Sequence, residues 1–220
     1  MNTPTIIFNR GAGGLGRPAT NSDHISGFLF FNDTALAAFA GNKTIAVYSI
    51  EQAETLGFVE GSVDFGAEHY QIKSFFEQNP TGKLWIGLAL LALNAFDFTE
   101  LIRMQNDAGG EIRQIGIIDQ SNGTNVRLFT DSVAGTIQGV CDTLKSNDKP
   151  LNVLIGFDDY SFGNDFLDYD LTNAIDAPNV SVVIAEDRGD YAESIRTATG
   201  IGTPVVGAFL GAVSAAKVSE

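Results

Sequence analysis

Two stretches of this sequence have residue types at spacings that could do chemistry. The first is Gly11-Ala12-Gly13-Gly14-Leu15-Gly16, which matches G-x-G-x-x-G and follows the apolar Ile6-Ile7-Phe8. In a dinucleotide fold those glycines let a pyrophosphate approach the backbone at the N-terminus of the next helix. The next residues must therefore start a helix. Pro18 biases Arg17 away from the helical region, and the polar run from Ala19 to Asp23 has no apolar helical stripe. The acid expected about 20 positions on is Asp33, beside Asn32 in an expected turn. The alternative to a nucleotide loop is a flexible glycine-rich arm.

The second stretch runs from Asp158 to Asp170. It holds five carboxylates: Asp158, Asp159, Asp165, Asp168 and Asp170. It follows an apolar run, Leu151–Phe157, that reads as a strand, so it belongs at the carboxyl edge of a sheet, where α/β proteins bind ligands. Five acids could hold Mg2+ or Ca2+, although their spacing is not that of an EF-hand. The interleaved Phe157, Tyr160, Phe162, Phe166 and Tyr169 favour a protein–protein contact surface over a cation site or a plain solvated loop.

Other reactive types are sparse. The two histidines, His24 and His69, have no Cys, His or acid at zinc-ligand spacing, and both are expected at a surface or interface. Cys141 falls on an apolar helical stripe and reads as a small buried hydrophobe. Glu186-Asp187-Arg188 is either an acid/base cluster or a set of self-paired charges. There is no G-x-S-x-G and no Walker A loop. No metal or cofactor is expected, and the pattern favours a structural role over an enzyme.

A βα alternation must position these residues. Lys83–Leu93, Ile112–Ile118, Leu151–Phe157 and Asn179–Ala185 are apolar runs of the kind that form strands buried on both faces. Their spacing, roughly 30–40 residues, suits a strand, a crossover helix and two loops. Val133, Ile137, Val140, Cys141 and Leu144 line one face of a helix that Asn147 and Pro150 close. Phe98, Leu101 and Ile102 form a shorter stripe ended by Gly109-Gly110; Ile72, Phe75 and Phe76 form another, ended by Asn79-Pro80. Thr44–Tyr48 then Glu51–Leu56 reads as a strand and a short helix. The expected fold is α/β: a layered, mostly parallel sheet with helices on both faces. The expected organisation is an extended N-terminal arm over 1–27 and one domain over 28–220. Small residues from Gly207 to Ala216 suit a helix packed closely on a neighbour.

Composition narrows the class. The chain has 220 residues, 13 Lys+Arg against 27 Asp+Glu, and a net charge of −14. That charge repels phosphate, so nucleic acid is an unsuitable partner. Sixteen Phe supply a core, and one cysteine forms no internal disulfide. The longest apolar run, Leu84–Phe96, is 13 residues, short of the roughly 20 that span a membrane. Met1–Arg10 lacks the basic start of a secretory signal, which leaves the cytoplasm as the default compartment.

Taken in order, several segments resemble one family. Gly16-Arg17-Pro18 and Asp23-His24-Ile25-Ser26-Gly27-Phe28-Leu29-Phe30-Phe31 are similar to the opening of contractile tail-sheath-like proteins of phages and prophages. Phe75-Phe76-Glu77-Gln78-Asn79-Pro80-Thr81-Gly82-Lys83-Leu84-Trp85-Ile86-Gly87 resembles that family's helix-turn-strand unit. Gly110-Glu111-Ile112-Arg113-Gln114-Ile115-Gly116 and Gly207–Val218 resemble it too. The resemblance implies a virion structural protein: a sheath subunit of a phage tail or related contractile injection system, assembled in the bacterial host cytoplasm and located in the virion tail. Its implied partners are copies of itself, in rings or a helical polymer, and tail tube and baseplate proteins, with no membrane insertion. The assembly arm would comprise Ile6, Ile7, Phe8, Gly11, Gly13 and Gly16; the assembly surface would comprise Asp158, Asp159, Tyr160, Phe162, Phe166 and Tyr169. Sheath subunits of this kind continue beyond the equivalent of Glu220, so a fragment or a reduced subunit is expected. The alternatives are a nucleotide- or metal-binding α/β enzyme using the Gly11–Gly16 or Asp158–Asp170 loop, and another tail or baseplate component.

Overall fold

A computed structural model describes residues 24–90, 97–119, 131–157, 176–199 and 202–216. Among the described residues six strands form one sheet: β1 (Ser26–Asn32), β2 (Thr44–Val47), β3 (Leu84–Leu90), β4 (Gln114–Asp119), β5 (Asn152–Phe157) and β6 (Val180–Ile184). Their spatial order is β2-β3-β1-β4-β5-β6. Every pairing is parallel except that of β2 with β3. The helices are α1 (Ile50–Leu56), α2 (Gly66–Gln78), α3 (Thr99–Asp107), α4 (Asp131–Ser146), α5 (Asp190–Thr199) and α6 (Val206–Ala215). The expected α/β class and mostly parallel sheet are what the chain adopts.

β1 lies at the middle of the sheet, and its side chains divide the core. Phe28 and Phe30 point to the face covered by α2 and α6, with Ile72, Phe75, Val206 and Leu210. Leu29 and Phe31 point to the opposite face, with Leu101 and Met104 of α3 and Ile137, Cys141 and Leu144 of α4. This alternation is the period of a strand buried on both sides. Ser26 and Gly27, expected in the arm, are the first two residues of this strand.

Local signals set the helix ends. The Ser49 hydroxyl accepts a hydrogen bond from the Gln52 N–H at the start of α1. After α3 the chain turns at Gly109 and Gly110, with φ of 64° and 81°, and the Gly110 N–H donates to the Gln105 carbonyl at 2.7 Å. After α2, Asn79 donates through its side chain to the Ser214 hydroxyl at 2.9 Å, tying the helix to α6.

α6 comes close because its contact face is glycine. A Cβ on Gly207 would stand 2.2 Å from the Gln71 carbonyl oxygen, and one on Gly211 would stand 2.5 Å from that of Phe75. The two helices therefore meet backbone to backbone. The buried Gln71 joins them, accepting from the Gly207 N–H at 2.9 Å and donating to the Pro204 carbonyl at 2.7 Å.

Candidate functional site

In this strand order the chain goes from β1 to β3 on one side, then crosses to β4 on the other. The switch point is the carboxyl end of β1 and β4, where doubly wound sheets hold ligands. Asn32 closes β1 there, 3% exposed. Its amide donates to the Asp64 carbonyl and to Glu68 Oε1, each at 2.7 Å. Its Oδ1 accepts from the Thr34 N–H at 2.8 Å. The switch-point residue thus fixes the first turn of α2 against the sheet.

That turn carries a polar cluster facing α1 and α5. His69 is 1% exposed, which corrects its expected surface position. Its Nε2 is 3.1 Å from Glu54 Oε1 on α1, and its Nδ1 is 3.0 Å from the Tyr191 hydroxyl on α5. In the tautomer that donates from Nε2 to Glu54, Nδ1 accepts from the Tyr191 hydroxyl. The Tyr191 hydroxyl also lies 3.3 Å from the Gly66 carbonyl. One residue on, the Tyr70 hydroxyl donates to Asp187 Oδ2 in a short contact. The rings of Tyr70 and Tyr191 meet edge to face, with centroids 5.8 Å apart. Lys73 Nζ sits 5.1 Å from the Tyr191 ring centroid and 3.7 Å from Glu60.

The electrostatics follow from burial and these bonds. The Tyr70 hydroxyl, and after it the Gly189 N–H, hold the Asp187 carboxyl below the usual carboxylate range. Burial first, and then the hydrogen bond to Asp187, push the Tyr70 phenol well above its ordinary value. Burial pushes the Tyr191 phenol up to about 12. Tyr191, His69 and Glu54 stand in the order of a nucleophile, base and orienting acid. The environment, however, makes a phenolate harder to form, so what the geometry supplies is a hydrogen-bonded tie among three helices.

A second cluster sits at the amino edge. Lys83 forms a short ion pair with Glu111 and stands 4.7 Å from the Trp85 ring centroid. The Trp85 indole donates to Glu111 Oε1 at 2.7 Å. Burial acts to raise the Glu111 carboxyl, but the Lys83 and Trp85 donors outweigh it and hold the group low.

The arm residues Ile6, Ile7, Phe8, Gly11, Gly13 and Gly16 lie outside the described residues, as do Asp158, Asp159, Tyr160, Phe162, Phe166 and Tyr169. Glu186-Asp187-Arg188 does not converge on a point: Glu186 pairs with Arg188 at 2.8 Å, while Asp187 turns to Tyr70. Cys141 is buried as expected, and burial pushes its thiol up to about 11. Among the described residues there is no group of three His, Cys, Asp or Glu that could hold a metal ion, and no helix long and apolar enough to cross a membrane. His69 carried one overlooked signal: it precedes Ile72 by three and Phe76 by seven, on the same helical stripe. No protein-family model matches the chain, and no curated protein matches it.

Proposed function

We propose that this chain is a structural subunit of the contractile tail-sheath type, which assembles with copies of itself around an inner tube in a phage tail or related injection machine. The observation that carries the reading is how the family-like segments gather in the fold. Phe28–Phe31 belongs to β1, which lies between β3 and β4. The helix-turn-strand segment supplies the end of α2 and most of β3. Gly110–Gly116 leads into β4, and the segment starting at Gly207 is α6, in backbone contact with α2. The Lys83–Trp85–Glu111 cluster joins two of those segments. Segments scattered through the sequence thus form one contiguous centre, as they would if they were inherited as a folding unit.

The sheet edges suit assembly. Among the described residues, β2 pairs only with β3 and β6 only with β5. Val180, Val182 and Val183 of β6 are half-buried. An edge of this kind can accept a strand from another copy, and many weak repeated contacts give a firm array. The arm with Ile6-Ile7-Phe8 is the proposed donor; contraction would be a rigid-body rearrangement of subunits held by such arms.

The test is electron microscopy of the purified chain beside a variant lacking residues 1–17. The full chain is expected to form salt-sensitive polymers and the variant to stay folded, by circular dichroism, but dispersed. Unchanged polymers in the variant would refute the arm's role; a full chain dispersed at every salt concentration would refute the assembly reading.

A second reading has one observation in its favour. The strand order, with its switch point at β1 and β4, is one in which α/β proteins bind nucleotides. A nucleotide- or metal-binding enzyme would then use the Gly11–Gly16 or Asp158–Asp170 loop. Saturation with NAD(P), nucleotides or Mg2+ at 100 times Kd would add about 2.7 kcal/mol of stability. A flat melting temperature with all three favours the sheath reading.

A further inference from the structure

We propose that two copies of this chain pair through α6, the two helices lying side by side and parallel about a two-fold axis, each covered by the other's β6. The contact uses the face of β6 and leaves its hydrogen-bonding edge free, so it does not depend on the assembly reading.

α6 is apolar all round. From Val206 to Ala215 it has no charged residue, and its one polar side chain, Ser214, is buried and bonded to Asn79. A surface helix keeps polar residues on its outer side, and a helix apolar on every side is one that becomes buried. The inner sides of α6 are taken: Gly207 and Gly211 meet α2, and Val206 lies against Gly116 of β4 and Gly156 of β5. The outer side is open. Phe209 is 46% exposed and Val213 is 40% exposed, and Ala212 and Ala216 are exposed beside them.

The open side continues onto the sheet. Asn32 ties α2 to β1, so α6, over β4 and β5, sits between α2 and the β6 edge. Val183 of β6 packs against the same core cluster as Val206 and Leu210 yet stays half-buried. Ser181, two residues earlier on the same face, is exposed. The face of β6 is therefore a ledge beside the bare flank of α6. Contiguous exposed apolar surface of this kind marks an interaction site.

Charge selects a second copy as the occupant. At a net charge of −14, two chains repel unless they meet where acids are absent. α6 and β6 are both without charge, whereas each of the other described helices carries carboxylates. Phe209, Val213 and Ala216 fall at i, i+4 and i+7, the spacing at which one helix meets a parallel copy of itself. An axis normal to the sheet would drive the two β6 edges together before the helices met. An axis along α6 avoids that collision. It sets Val213 against its own counterpart and lays each α6 on the other copy's ledge, in layers of sheet, paired helices and sheet.

The experiment is disulfide trapping in the full chain. Val213→Cys puts a thiol at the axis, and mild oxidation is expected to convert most of the protein to a covalent dimer on a non-reducing denaturing gel. Cys141 is buried, so the wild type should run as a monomer there. Gly139→Cys, on the exposed side of α4, is the control and should also stay monomeric. Adding Phe209→Glu to Val213→Cys should cut the dimer yield at least about tenfold, because a carboxylate would be buried in an apolar contact. These side chains point outward, and circular dichroism checks the fold of each variant. Sedimentation of the wild type at high salt is the second measurement, with about twice the chain mass expected. A wild type that sediments as a monomer, a Val213→Cys chain that cross-links no more than Gly139→Cys, or dimers indifferent to Phe209→Glu would overturn the proposal. Polymers by electron microscopy without the Val213 cross-link would sink this pairing and leave the sheath reading standing; the cross-link without polymers would do the reverse.

Discussion

Helix α2 holds α6 along one side and α5 along another, by different means. Against α6 the contact is backbone on backbone, with Gly207 and Gly211 removing the side chains that would separate the helices. Against α5 the contact is made by long polar side chains: Tyr70 reaching Asp187, His69 reaching Tyr191, and Lys73 over the Tyr191 ring. The first contact has no titratable member and no slack. The second sets a group of ionisable side chains around a small apolar cluster of Ala67, Ala192 and Ile195. One helix therefore carries a fixed partner and an adjustable one. The difference lies in residue choice: glycine permits approach, whereas phenol and imidazole hold the helices at arm's length through hydrogen bonds.

The contrast is tested most sharply at Gly207. In Gly207→Ala the new Cβ would lie 2.2 Å from a backbone oxygen of α2, which no rotamer change relieves. Overpacking of this kind costs about 3 kcal/mol, and in a chain of this size each kcal/mol lowers the melting temperature by roughly 2–4 °C. A fall of roughly 6–12 °C is expected in differential scanning calorimetry. A fall under about 2 °C would mean that α6 shifts easily, and the contrast with α5 would fail.

A smaller effect, with a definite pH signature, is expected from Tyr70→Phe. At pH 7 the loss of the hydrogen bond to Asp187 should cost about 1–1.5 kcal/mol. Asp187 has a folded-state value below its unfolded one, so its contribution is present above about pH 4 and fades as pH falls through the folded value. The gap between wild type and variant should therefore close below about pH 4. In base the sign reverses. Tyr70 and Tyr191 have folded-state values above the ordinary phenol value, so the wild type loses stability from about pH 10 upward. Tyr70→Phe should lose less there. Denaturant midpoints at pH 3, 7 and 10.5 check both limbs; a gap constant across all three would sever the link between Asp187 and the α5 contact.

Much of this architecture was legible in the apolar pattern. The runs at Lys83–Leu93, Ile112–Ile118, Leu151–Phe157 and Asn179–Ala185 fall on β3, β4, β5 and β6, because strands buried on both faces must be apolar throughout. The stripe from Val133 to Leu144 is the inner face of α4. Two elements escaped. β1 is hard to see because its apolar run Phe28–Phe31 is only four residues long and follows Ser26-Gly27, a pair that reads as a turn although it is the start of this central strand. α5 escaped because a satellite helix needs only a narrow stripe, here Tyr191, Ala192 and Ile195, amid polar residues. The polar cluster was less legible still. His69 meets Tyr191 across 122 positions, and Tyr70 meets Asp187 across 117. No local spacing encodes such pairs; only the fold of α5 back onto α2 creates them.

The smallest expected effect concerns Lys73, and it asks whether the α5 contact rests on hydrogen bonds or on net charge. Its pair with Glu60 spans 3.7 Å between side chains that are 38% and 56% exposed, and exposed pairs contribute about 0–1 kcal/mol. Its position over the Tyr191 ring adds a similar amount at an exposed site. Ordering the long side chain offsets part of that sum, so Lys73→Met should cost about 1 kcal/mol, or roughly 2–4 °C in melting temperature. High salt screens the ion pair and leaves the ring contact largely intact, so the cost should shrink only in part at 0.5 M NaCl. If Lys73→Met instead cost more than Tyr70→Phe, α5 would be held by the one ammonium among surrounding carboxylates. The Tyr70–Asp187 hydrogen bond would then lose its place as the main polar tie between α2 and the α5 side.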